Sequence, residues 1–80
     1  MARYFFDVTN GHGFEQDKTG QELQSIELVR RETGRILTDI ANDEIPRMEK
    51  VRVRVDVRDS DGAKVHFGEL NLRSGTVNEQ

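Results

Sequence analysis

The sequence predicts an α+β domain of two layers, a mainly antiparallel β-sheet with one long helix packed on one face. Three observations carry this reading. From Ser25 to Ile45, the apolar residues Ile26, Val29, Ile36, Leu37, Ile40, Ala41 and Ile45 recur at steps of three and four, with Thr33 filling the gap. That spacing traces one face of a helix of about five to six turns. Every other apolar segment is short and alternates, as strands do. The pieces follow in the order hairpin, helix, hairpin, and a lone helix can bury its stripe only against a sheet.

Arg3 to Thr9 is the first strand, dense in aromatic and β-branched residues and followed by the hairpin signal Asn10-Gly11. Alternation puts Tyr4, Phe6 and Val8 under the helix and Arg3, Phe5 and Asp7 on the opposite face. Phe14 to Asp17 is expected to return as a short strand, and Lys18-Thr19-Gly20 to turn. Leu23 then leads into the helix. Ser25 is the expected N-cap, its hydroxyl satisfying a free backbone N–H of the first turn. Glu27 complements the positive helix end and stands four residues before Arg31. Gly34 interrupts the helix at a cost of about 1 kcal/mol relative to Ala, for which close approach of a strand or a partner is the expected reason. Pro46 disfavours helical geometry at Ile45 and ends the helix.

Val51 to Arg58 is the clearest strand: Val51, Val53, Val55 and Val57 alternate with Arg52, Arg54, Asp56 and Arg58, the pattern of one buried and one wet face. Asp59-Ser60-Asp61-Gly62 is a tight turn, and Ala63 to Arg73 returns. Val65 and Phe67 fall in one phase, Leu70 and Leu72 in the other. A bulge near Gly68-Glu69 is expected to bring both pairs to the core side. Residues 1–73 are read as a single domain and 74–80 as a disordered polar tail.

The chain has 80 residues, no cysteine, 34% apolar and 34% charged residues and a net charge of −3. A domain of this size buries only about 60–65% of its unfolded surface. With no disulfide to support it, self-association is an attractive way to bury more. The mild acidic balance argues against bulk-charge coating of nucleic acid but leaves room for a local basic face. No run approaches the roughly 20 apolar residues of a membrane span. The start, Met1-Ala2-Arg3 running into Tyr4-Phe5-Phe6, has no secretory apolar region. The expectation is a cytoplasmic protein.

Arg3-Tyr4-Phe5-Phe6-Asp7-Val8 resembles the opening of a family of short uncharacterised proteins common in alphaproteobacteria such as rhizobia, a domain of unknown function. The family pattern continues with a Gly-rich turn and an Asp-x-x-Gly-x-Glu-Leu segment, here Asp17-Lys18-Thr19-Gly20-Gln21-Glu22-Leu23. It goes on through a helix with Glu27 in its first turn and the pair Arg31-Glu32, then the Val-alternating strand, the Asp-Gly turn and the last strand. Leu28 and Val29 stand where the family usually carries alanines. The resemblance implies a fold and a bacterial source, and no activity. A looser similarity, of element pattern alone, is to small antitoxin domains of the HicB kind, without their appended DNA-binding segment.

The candidate interaction face is the sheet face that no helix covers. It is expected to carry Phe5, Asp7, Arg52, Arg54, Arg58 and His66, with Lys64, Asp56 and Glu69 nearby. Solvated cross-strand ion pairs are the bland reading; a dimer interface and a stacking platform for single-stranded nucleic acid are the two functional ones. Asp39, Asp43 and Glu44 share oxygen ligands but no ligand-rich loop, and are read as a salt-bridged patch rather than a metal site. Asp59-Ser60-Asp61-Gly62 starts like a calcium loop, yet Leu70 occupies the position that needs a Glu. His12 and His66 lack a nucleophile or an orienting partner. No cofactor, metal or catalytic activity is expected. The leading reading is a non-enzymatic interaction or regulatory module that associates with itself or with another protein, the alternative a weak nucleic-acid binder.

Overall fold

The computed structural model describes residues 2–77. The expected tail at 74–80 is thus seen only as far as residue 77; residues 78–80 lie outside the described residues. The elements are β1 (Ala2–Asn10), β2 (Gly13–Glu15), β3 (Gln21–Leu23), α1 (Ile26–Glu44), β4 (Lys50–Arg58) and β5 (Lys64–Arg73). They form an antiparallel five-stranded sheet, in the order β2-β1-β4-β5 with β3 also on β1, and α1 packs against it. The α+β class and the two-layer arrangement are as the sequence predicts.

β1 is the spine. One edge pairs with β4, from Phe5↔Arg58 to Asn10↔Val53. The other edge is shared by two short strands: β3 holds residues 2–4 and β2 holds residues 8–10. The sequence reading missed β3 because three residues, Gln21-Glu22-Leu23, are too short to show a period.

Alternation on β1 and β4 places the core as expected. Phe6, Val51, Val53, Val55 and Val57 are buried beneath α1, which contributes Val29 and Ala41. Tyr4, Val8, Leu23, Ile36 and Leu37 pack around the cluster of Phe6, Val29, Val55 and Val57. Ser25 caps α1 with its hydroxyl accepting from the Leu28 N–H at 3.3 Å. At the other end the Ile45 N–H still donates to the Ala41 carbonyl, and the chain leaves the helix through Pro46.

Two expectations about glycine and register are corrected. A Cβ at Gly34 would meet nothing within 4 Å, so no strand approaches there. The close approach is at Gly68 of β5, where a Cβ would lie 2.5 Å from Thr33 Cγ2 and 3.1 Å from Leu37 Cδ1. Gly68 therefore lets α1 settle onto the sheet. The bulge is not near Gly68-Glu69 but at Val65: Val57 pairs with His66 while Arg58 pairs with Lys64. From there β5 runs in clean alternation, with His66, Gly68, Leu70 and Leu72 toward the helix and Phe67, Glu69 and Asn71 away from it. Phe67 cannot join the core, since Gly68 must face Thr33.

Candidate interaction face

The helix-free face is built from rows of residues that the ladder sets side by side. One row is Phe14, Thr9, Arg54 and Glu69; the next is Asp7, Asp56 and Phe67; the next is Phe5, Arg58 and Lys64. Arg52 lies opposite Asn71, and Lys50 opposite Arg73, at the far end of the hairpin. Five of the six expected residues, Phe5, Asp7, Arg52, Arg54 and Arg58, stand on this face. His66 does not. Its partner is the core residue Val57, and the bulge at Val65 turns it toward the helix side.

Asp7, Arg58 and Phe5 are engaged within the chain. Arg58 grips Asp7 with two parallel hydrogen bonds, Nε to Oδ2 at 2.6 Å and Nη2 to Oδ1 at 3.0 Å. Its Nη2 also donates to the Asp17 carbonyl at 3.0 Å, and its guanidinium lies 4.9 Å from the Phe5 ring centre. These bonds from Arg58 hold the Asp7 carboxyl below its ordinary value near 3.8, against burial that works to raise it. Asp17 faces the same burial penalty, yet the N–H groups of Phe6, Gly20 and Thr19 all donate to its carboxylate and lower its pKa.

The opening segment 3–8 and the segment 17–23 touch. Arg3 Nη1 donates to the Thr19 carbonyl at 2.7 Å, and Arg3 pairs with Glu22. The Asp17 N–H donates to Asp7 at 2.9 Å. Gly20, at φ 75°, lies so close to Phe5 that a Cβ would come within 2.8 Å of the ring. Gln21 donates to Glu32 of α1 at 2.7 Å. Asp7, Asp17, Gly20 and Arg58 thus lock β1 to its neighbours.

Phe67 and Phe14 are the residues that the sequence reading missed. They are 56% and 64% exposed, the two largest apolar side chains left uncovered on this face. Arg54 stacks over Phe67 at 4.4 Å while its Nε bonds to Asp56 at 3.1 Å. The signal for Phe14 was present in Asn10-Gly11: a loop of Gly11 and His12 places Phe14 opposite Thr9, in phase with Phe5. Phe67 depended on the position of the bulge.

Of the other candidates, Asp39, Glu44, His12 and Asp59 make contacts within the chain. Asp39 pairs with Arg35 at 2.7 Å and Glu44 meets His12 at 3.2 Å. Asp59 Oδ1 accepts the N–H groups of Asp61 and Ala63, closing the turn that Gly62 completes at φ 88°. Among the described residues no group of three or more acidic, His or Cys side chains is placed to hold a metal ion. No helix there is long and apolar enough to cross a membrane.

Fold and face together define a small helix-backed antiparallel sheet domain with one open face. A family model described as Domain of unknown function (DUF6894) matches residues 3–70, and the chain belongs to that family. Comparison with curated proteins and with solved structures found no match.

Proposed function

We propose that this chain is a small non-enzymatic interaction module that associates with a second copy of itself through the centre of its helix-free face. The observation that carries the reading is the exposure of two rings, Phe14 on β2 and Phe67 on β5, at the two edges of a face with no second layer. The centre is also charge-balanced. Arg54, Arg58 and Lys64 stand among Asp7, Asp56 and Glu69, so two copies can meet without net repulsion.

The cysteine-free sequence fits a reducing bacterial cytoplasm as the setting.

The test is light scattering on a size-exclusion column, for the wild type and for Phe67→Glu, with the thermal midpoint as a folding control. A dimeric mass that becomes monomeric in Phe67→Glu, at an unchanged or slightly altered midpoint, is the expected result. A monomeric wild type at hundreds of micromolar, or a dimer that survives both Phe67→Glu and Phe14→Glu, overturns the reading.

A further inference from the structure

The hairpin of β4 and β5 runs on past the end of β1. β1 stops at Asn10 opposite Val53, so Lys50, Val51 and Arg52 have no β1 neighbour. A groove of about 580 Å³ opens there, lined by Gly11, Lys50, Arg52, Asn71 and Arg73 together with the apolar Val51 and Leu72.

The charges in this groove differ from those in the centre of the sheet. Arg54 and Arg58 are each held by a carboxylate. Lys50, Arg52 and Arg73 form no ion pair among the described residues, and the flanking Glu49 and Glu69 reach none of them. Lys50 is the direct cross-strand partner of Arg73, a like-charge pairing that costs stability unless something neutralises it. Arg52 is pre-oriented: its Nε donates to Asn71 Oδ1 at 3.0 Å, and neither Nη group has an acceptor among the described residues. A guanidinium fixed in this way offers the fork that matches a phosphate.

We propose that Lys50, Arg52 and Arg73 form a phosphate-binding site that takes the backbone of a single-stranded nucleic acid. The Lys50–Arg73 and Arg52–Asn71 rows are two residues apart, roughly 6.6 Å along the strands. Two cationic rows at that interval in an open groove suit a chain of phosphates passing through, not one small enclosed anion. The site lies beyond the proposed self-association surface and does not rest on it.

The experiment is fluorescence anisotropy of a labelled twelve-nucleotide oligothymidylate between 50 and 300 mM salt. The wild type is compared with Arg52→Gln/Arg73→Gln and with Arg30→Gln/Arg31→Gln, which removes the same charge from the helix. With three phosphate contacts, log K should fall against log salt with a slope of about −2, at about 0.7 per contact. The first double variant should bind on the order of fifty-fold more weakly at 50 mM salt, with a slope of about −0.7. It should keep the wild-type mass in light scattering, which separates this site from the self-association reading. The helix variant should bind as the wild type does. Absence of wild-type binding at 50 mM salt, or equal losses in both variants, overturns the proposal. So does capture by vesicles of anionic phospholipid, or saturation by inorganic phosphate, without binding of the oligonucleotide.

Discussion

Asp17 accepts the backbone N–H of Phe6 at 3.0 Å and so completes the edge of β1 between two strands that do not meet. A carboxylate oxygen stands where a neighbouring strand would place a carbonyl. Its other oxygen takes the N–H groups of Thr19 and Gly20, both at 3.0 Å. One side chain thereby satisfies three donors, each of which would cost about 1–3 kcal/mol if buried and unpaired.

The pH dependence of stability follows from this relationship. Asp7 and Asp17 both have folded pKa values below the ordinary 3.8. Their stabilisation is therefore complete above that ordinary value and is lost as pH falls through the lower folded values. Urea midpoints should be flat from pH 7 to about 5 with respect to these groups, then drop below about pH 4. Asp7→Asn should be weaker at pH 7, by about 2 kcal/mol, and should show a shallower acid limb. An acid limb identical to that of the wild type would show that the Asp7–Arg58 pair carries no such linkage.

Gly20→Ala should destabilise the domain by about 2 kcal/mol. The residue has φ 75°, and the new Cβ would press on Phe5 Cε2 at 2.8 Å. Thermal denaturation followed by circular dichroism measures the loss; an unchanged midpoint would mean that the 16–20 segment yields without cost.

Gly68→Ala should cost about 1–3 kcal/mol by overpacking against α1. The offending contact is the Thr33 methyl, 2.5 Å from the built Cβ. Adding Thr33→Ser removes that methyl and should restore part of the loss. The double mutant then shows a favourable coupling in a thermodynamic cycle. Simple additivity of the two changes would contradict this packing.

Gly34→Ala should stabilise the chain by about 1 kcal/mol, because the position is exposed in mid-helix and open around its Cβ. A gain in urea midpoint at unchanged slope is the expected reading. A loss would place a contact on that side of α1.

Much of the fold was legible because it rests on local periodicity. The helix limits, the Ser25 cap, the valine face of β4 and the split of β1 into Phe6 and Phe5 sides follow from spacing alone. The interaction face was legible in part. Arg52 and Arg54 could be placed on it, but their difference could not, since Asp56 engages Arg54 while Arg52, among the described residues, bonds to Asn71 alone.

By itself, then, the sequence determined the class of fold, the helix and which strand residues face inward, because side-chain periods of 3.6 and 2 are properties of the backbone. Tertiary structure alone decided three further things. It put the bulge at Val65, exposing Phe67 and turning His66 toward the helix side. It brought Asp17 to Asp7 and Phe6 across ten and eleven residues of chain. Among the described residues it left Lys50, Arg52 and Arg73 without a paired carboxylate. Each depends on which residues meet across strands, and those meetings turn on the close approach of α1 at Gly68 and on the register shift at the bulge, which no local spacing encodes.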